Sequence, residues 1–222
     1  MSQSQVGQDL WVLEKLNNKR GGYFIELGGG DGKFLSNTYM LENDYGWSGV
    51  AIEPTRKFEE LCKNRKCFAV QEYVAGTART ETFLEGSGDD MDAWANASHV
   101  YSSGFSDIFS RPVRVNGAVM NRVKPKGNET EVQTRTLSSI LDEIEAPSII
   151  DYLSLDVEGA ELEILTTFPF DRYKFRTMTI EINGAQPDGD DIRKLLESKG
   201  YTFDCSLKEL DDCYVMEMEM EI

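Results

Sequence analysis

Hydrophobic and polar positions along this chain switch repeatedly between a helical period and short unbroken apolar runs. Leu10, Trp11, Leu13 and Leu16 recur at helical spacing, which predicts a helix over residues 8–16. The apolar run at 23–27, bounded by glycines, reads as a first strand buried on both faces. Ser36 stands where it would cap a helix over 37–43 that stops at Gly46. Residues 49–52 read as a second strand closed by Glu53 and Pro54, Phe58, Leu61 and Cys62 mark a short helix, and 67–71 give a third strand.

The pattern lapses between residues 85 and 131, where Gly86, Ser87, Gly88, Asp89 and Asp90 read as loop and no long periodic segment follows. An insertion of this length predicts a lid or substrate-binding region, with a surface loop as the alternative. Leu137, Ile140, Leu141 and Ile144 then mark an amphipathic helix ending before Pro147. A strand at 149–157 leads into a helix over 159–165, and a further strand is expected at 178–182. Pro187 precedes a helix over 188–199 with Ile192, Leu195 and Leu196 inward, ended by Gly200, and 201–205 reads as strand. Finally Tyr214, Met216, Met218, Met220 and Ile222 alternate with Glu217, Glu219 and Glu221. That period of two predicts a half-solvated antiparallel strand with its methionines in the core. Alternating strands and helices with two adjacent late strands imply one α/β domain over 1–222, a doubly wound, mostly parallel sheet with an antiparallel edge strand.

Composition narrows the function. At 222 residues and 40% hydrophobic, the chain can build one sizeable core. A net charge of −16 argues against a nucleic-acid partner, because any basic patch would sit in a repulsive field. No run of 18 apolar residues exists to span a membrane, and the polar start from Met1 to Gln5 suggests a cytoplasmic protein. Cys62, Cys67, Cys205 and Cys213 lack a Cys-x-x-Cys spacing, so reduced thiols are expected, with a four-thiol structural metal only weakly supported.

The chemistry concentrates where strands end. Gly28, Gly30 and Gly32 follow the first strand directly, and Glu53 ends the second. Glycines let the backbone approach a ligand closely, and an acid at that second position can accept hydrogen bonds from ribose hydroxyls. A dinucleotide fingerprint would need a third glycine where Lys33 stands, and no helix start follows the turn at once to hold a pyrophosphate. The run Glu26-x-Gly28-x-Gly30-x-Gly32 instead resembles the first motif of class I S-adenosylmethionine-dependent methyltransferases.

Asp156 is delivered to the end of an apolar strand, and Glu158, two residues on, would lie on the same face of an extended chain. Glu161 is better read as an acid favoured by a helix N-terminus. Asp156, Glu181 and Asn183 offer three oxygen ligands at neighbouring strand ends, a candidate Mg²⁺ site, although simple hydrogen-bonding roles serve equally well. His99, the sole histidine, is a candidate general base, and Arg111 and Arg114 could hold an anionic substrate such as a nucleotide sugar.

Several separated stretches resemble the FkbM family of methyltransferases. They are residues 4–9, the run 24–32, Ser36-Asn37-Thr38 with Leu41-Glu42, residues 46–54, Asn64-Arg65-Lys66-Cys67 and residues 155–161. The resemblance covers nearly the whole chain outside 85–131; Gly29-Gly30 replace the family's usual Ala-Asn or Ala-Tyr before Asp31-Gly32. It implies a Rossmann-like class I methyltransferase fold and S-adenosylmethionine-dependent O-methylation, commonly of a sugar hydroxyl in a glycan, nucleotide sugar or natural product. By that resemblance Glu26, Gly28, Gly30 and Asp31 line the cofactor's methionine part, Asn37 bonds its amine or carboxylate, and Glu53 takes the ribose. Glu72 and Tyr73 lie by the adenine, and Asp156 lies near the sulfonium and the acceptor oxygen. The competing readings are a binding module without turnover and a nicotinamide-dependent oxidoreductase, which Lys33 and the lack of an evident Tyr-Lys pair oppose.

Overall fold

A computed structural model of the chain describes residues 1–86, 99–101, 112–115, 118–121, 127–182 and 189–216. In chain order the elements are α1 (Gln8–Lys15), β1 (Tyr23–Leu27), α2 (Tyr39–Tyr45), β2 (Ser48–Ile52), α3 (Phe58–Asn64) and β3 (Phe68–Val70). There follow β4 (Tyr73–Val74), β5 (Thr80–Gly86), β6 (His99–Tyr101), β7 (Pro112–Val115), β8 (Ala118–Asn121) and β9 (Gly127–Arg135). The last are α4 (Leu137–Glu143), β10 (Ile149–Leu155), α5 (Glu161–Thr167), β11 (Lys174–Glu181), α6 (Gly189–Ser198), β12 (Tyr201–Leu207) and β13 (Asp211–Met216).

The main sheet has seven strands in the order β12-β13-β11-β10-β1-β2-β3. The five strands from β11 to β3 run parallel, while β13 pairs antiparallel with both β11 and β12. This is a doubly wound, mostly parallel α/β sheet with its antiparallel part at one edge. Side chains alternate across the strands and so supply two cores. Phe24 and Tyr152 face Trp11, Val12, Leu13, Met40, Leu41 and Trp47 from α1, α2 and the approach to β2. Ile25, Leu27, Leu153 and Leu155 face the apolar stripes of α4, α5 and α6, namely Leu137, Ile140, Leu141, Ile164, Leu165, Ile192 and Leu196.

Some boundaries differ from those the pattern suggests, each for a local reason. Leu10 is 55% exposed, because α1 turns Trp11, Val12 and Leu13 to the sheet instead. Helix α2 starts at Tyr39 rather than residue 37, since residues 36–38 are drawn toward a buried carboxylate described below. Strand β10 stops at Leu155, and its helix begins only at Glu161. The late strand β13 ends at Met216, which packs partly buried against the core; Met218, Met220 and Ile222 lie outside the described residues.

Residues 85–131 are framed by an antiparallel pair that the periodicity did not reveal. β5 and β9 pair from Thr80↔Gln133 to Gly86↔Gly127. β6 adds to the free edge of β5, β4 pairs with β9, and β7 and β8 form a separate two-stranded sheet. Among the described residues, no helix is long and apolar enough to cross a membrane.

Candidate active site

Strand register sets the site. Leu27 pairs with Ile52 on one side and Leu155 on the other, Leu155 pairs with Ile180, and Glu181 pairs with Asp211. Gly28, Glu53 and Asp156 therefore leave the sheet at one level, with Glu181 and Asp211 continuing the row. From β1 the chain winds outward to β2 and β3, and from β10 it winds the other way to β11. That reversal opens a crevice at the carboxyl ends of β1 and β10, where open α/β sheets take ligands.

The glycine turn is built into this crevice. Gly28 and Gly29 donate their amides to Ile52 O at 3.0 and 3.1 Å, and Gly28 has φ +80°. A Cβ on Gly28 would lie 2.1 Å from the carbonyl oxygen of Asp156, so only glycine lets the two strand ends meet. Around Gly30, by contrast, an added Cβ would meet nothing within 4 Å, so the turn presents an open face there. The Gly30 amide donates to Glu53 Oε2 at 2.8 Å, while Glu53 Oε1 accepts from the Thr55 amide at 2.9 Å and from its hydroxyl. Asp31 Oδ1 accepts from the amides of Lys33 and Phe34 at 2.8 and 2.7 Å, so this carboxylate shapes the turn.

Glu26 is the acid inside an otherwise apolar strand, and at 2% exposure its carboxylate is fully engaged by protein. Oε1 accepts from Ser36 Oγ at 2.9 Å and the Asn37 amide at 2.7 Å; Oε2 accepts from Thr38 Oγ1 at 2.7 Å and Arg65 Nη1 at 2.9 Å. Where the resemblance puts Glu26 against the cofactor itself, the geometry gives it the task of organising residues 36–38. Arg65 also bonds the Glu42 carboxylate, Thr38 Oγ1 at 2.8 Å and Gly32 O at 3.3 Å. Burial works against its charge, yet Glu26 and Glu42 outweigh that and hold the guanidinium above its ordinary pKa. Sequence reasoning assigned Arg65 no task, although a carboxylate within a buried strand demands a cation nearby.

Asn37 is presented by this network. Its Nδ2 donates to Ser154 Oγ on β10 at 2.9 Å, and its Oδ1 has no hydrogen-bond partner although the residue is 7% exposed. A buried acceptor left unpaired is uncommon and suits a ligand donor.

Acids converge on the β10–β11 side. Asp156, Glu158 and Glu181 each offer an oxygen, and all three oxygens lie within 4.8 Å of one another. This is not the extended-chain convergence expected from spacing: Glu158 is left-handed at φ +60°, followed by Gly159 at +119°, and the turn swings its carboxylate back. Burial raises the pKa of both Asp156 and Glu181 well above their ordinary values. Negative neighbours add to this, Glu158 foremost for Asp156, and Asp156 and then Glu158 for Glu181. Asp211 is pushed up to about 6 by burial, with the amide of Gln8 at 2.8 Å opposing and the charge of Asp212 adding. Glu161 Oε1 accepts from the Val157 and Gly159 amides at 3.0 and 3.1 Å, which closes the turn into α5. Asn183, the third oxygen donor expected from sequence, lies outside the described residues.

The remaining candidates are distributed as follows. Glu53 N bonds Val70 O, so the chain after β3 also emerges on this rim, and there Glu72 Oε1 accepts from Arg135 Nη1 at 3.3 Å. Tyr73 enters β4 and stacks edge-on against Phe83, with ring centroids 4.6 Å apart. His99 pairs with Leu84 at the edge of the four-stranded sheet; its side chain is outside the described residues, as are Arg111 and the side chain of Arg114. The four cysteines cannot share a metal. Cys62 and Cys67 lie beside β3 and Cys205 and Cys213 pair across β12 and β13, at opposite edges of the sheet.

Residues 26–203 match the model of the methyltransferase FkbM domain. No curated protein matches the chain. Among solved structures, the chain is similar to a human methyltransferase 10 domain containing protein at 14% identity and TM-score 0.49, over 97% of this chain and 84% of that one. It is also similar to the METTL16 methyltransferase domain at 15% identity and TM-score 0.48, over 95% of this chain and 66% of that one. A third is precorrin-6y C5,15-methyltransferase from Geobacter metallireducens GS-15, at 11% identity and TM-score 0.47, over 89% and 72% of the two chains.

Proposed function

The chain belongs to the FkbM methyltransferase family, and on that premise we propose that it transfers a methyl group from S-adenosylmethionine to a hydroxyl oxygen of a sugar, free or within a glycan, nucleotide sugar or natural product. The residues at the rim fit the cofactor. Gly30 gives an open face, Glu53 a carboxylate for ribose hydroxyls, and Asn37 Oδ1 an unpaired buried acceptor for an ammonium. When bound, the cofactor supplies an electrophilic methyl carbon on a sulfonium.

The chain's own residues then have two tasks. The first is to hold donor and acceptor in contact, since orientation supplies much of the acceleration in an in-line displacement. Gly28 serves this by allowing the β1 and β10 ends to meet. The second is to receive the acceptor's proton as the oxygen–carbon bond forms and the carbon–sulfur bond breaks. A sugar hydroxyl is a weak nucleophile and needs such help. We assign this task to Asp156, which follows Leu155 in the row beside Gly28 and has Glu158 near it. The observation that carries the reading is this row: a glycine turn and a ribose-type acid on one side, and carboxylates at the adjoining strand ends on the other. The net charge of −16 favours a small acceptor over a nucleic acid.

The test is mass spectrometry of a panel of sugars, nucleotide sugars and glycans incubated with labelled methyl donor. Wild-type protein should label an oxygen, and Asp156→Asn should lose turnover while still binding the donor by calorimetry. Donor binding with no methylated product, or a product labelled on nitrogen or carbon, would refute the proposal.

A further inference from the structure

We infer that Asp156, Glu158 and Glu181 form a divalent-cation site at the acceptor side of the rim, taking a hard cation such as Mg²⁺ or Mn²⁺. Two observations point to it. The first is spacing: one oxygen of each side chain lies within 4.8 Å of the others. Oxygens bound to one cation stand roughly 3–5 Å apart, given metal–oxygen distances of roughly 2.1–2.4 Å, so the spacing of these three suits a shared ion. The second is Glu181 itself. It is 8% exposed, and its Oε2 accepts no hydrogen bond. Such an atom is costly unless something absent from the protein alone pairs with it.

The surroundings favour a cation over other partners. The charged groups that act most on Asp156 and Glu181 are acids, including Glu161 and Asp211. Of the neighbouring acids, Glu161 is occupied by the turn amides, Asp211 by Gln8, and Asp212 by Arg193 at 3.0 Å. A divalent ion compensates all three at once, and carboxylate oxygens select hard cations over soft ones. Three carboxylates leave coordination positions open on an ion that prefers about six ligands. On the methyltransferase reading, two adjacent hydroxyls of a sugar would fill them, and the ion would lower the pKa of the one that reacts.

The experiment is binding of Mn²⁺ to the full chain after treatment with a chelator, followed by electron paramagnetic resonance with no donor or acceptor present, and then competition by Mg²⁺. One saturable site per chain is expected. Glu181→Gln and Glu158→Gln should each weaken it at least about tenfold, while Glu60→Gln, on the exposed face of α3, should leave it unchanged. Glu158, which is half-buried, keeps the test usable if the Glu181 variant does not fold. No saturable Mn²⁺ site, or a site untouched by both variants, would overturn the inference. Donor binding measured by calorimetry in chelator stands apart, so a missing cation site and a failed methyltransferase assignment give different results.

Discussion

Replacing Arg65 with methionine removes a cation that two buried carboxylates share. The side chain of Arg65 is fully buried, with those of Glu26 and Glu42 at 3% and 6% exposure. Its guanidinium makes contacts to both acids, to Ser36 Oγ at 3.1 Å and to Thr38 Oγ1 at 2.8 Å. Deleting one partner of a buried pair costs roughly 3–5 kcal/mol, because the remaining charge is left without compensation. Here two charges are stranded, although Glu26 keeps its bonds from residues 36–38, so about 4 kcal/mol is a fair working figure. For a chain of this size that lowers Tm by roughly 8–16 °C, at about 2–4 °C per kcal/mol. The loss should be insensitive to salt, since buried charges are poorly screened.

The assay is thermal and urea unfolding of Arg65→Met, Arg65→Lys and the triple change Arg65→Met with Glu26→Gln and Glu42→Gln. Lysine keeps the charge but not the planar fork, so it should recover part of the loss. The triple change strands no charge and should be more stable than Arg65→Met alone. A loss below about 1 kcal/mol for Arg65→Met, a value typical of exposed pairs, would refute the reasoning.

Four further outcomes follow from the geometry. Gly28→Ala should cost at least about 2–3 kcal/mol, from its clash with the Asp156 carbonyl and from φ +80° together. Gly30→Ala should cost only about 1 kcal/mol, since φ +55° is its sole penalty; equal losses in urea unfolding would contradict this. Glu53→Ala should weaken binding of S-adenosylhomocysteine by about 1–3 kcal/mol through lost charge-assisted hydrogen bonds, and unchanged affinity by calorimetry would remove its ribose role. For Asp211, whose pKa rises from 3.8 to about 6, the folded state binds its proton more tightly than the unfolded state. Stability therefore falls as pH rises through that window, by up to about 3 kcal/mol. Asp211→Asn should be more stable than wild type at pH 8 in chelator and equal to it near pH 4, as read by unfolding across pH; a constant difference would contradict the sign.

The sheet was legible because its strands are apolar runs buried on both faces, as at 23–27, which glycines bound, and at 149–155, which Pro147 precedes, and the helices because their apolar stripes face those strands. The rim was legible because Gly28, Glu53 and Asp156 each follow directly on such a strand. What the sequence hid depends on contacts between distant residues. Arg65 meets Glu26 across 39 positions, and no local pattern announces that pairing. The left-handed turn at Glu158 defeats any argument from period two. The pairing of β5 with β9 spans the interval 85–131, where neither strand has the apolar bias of the main sheet, so loop composition between them dominated the reading.

A crystal structure of the chain with S-adenosylhomocysteine tests the central claim most directly. The account expects the ribose hydroxyls on Glu53, the amino-acid end at Asn37 and the turn from Gly28 to Gly32, and the sulfur facing Asp156. The nucleoside seated at another edge of the sheet, or bound without touching Glu53 and the glycine turn, would contradict it.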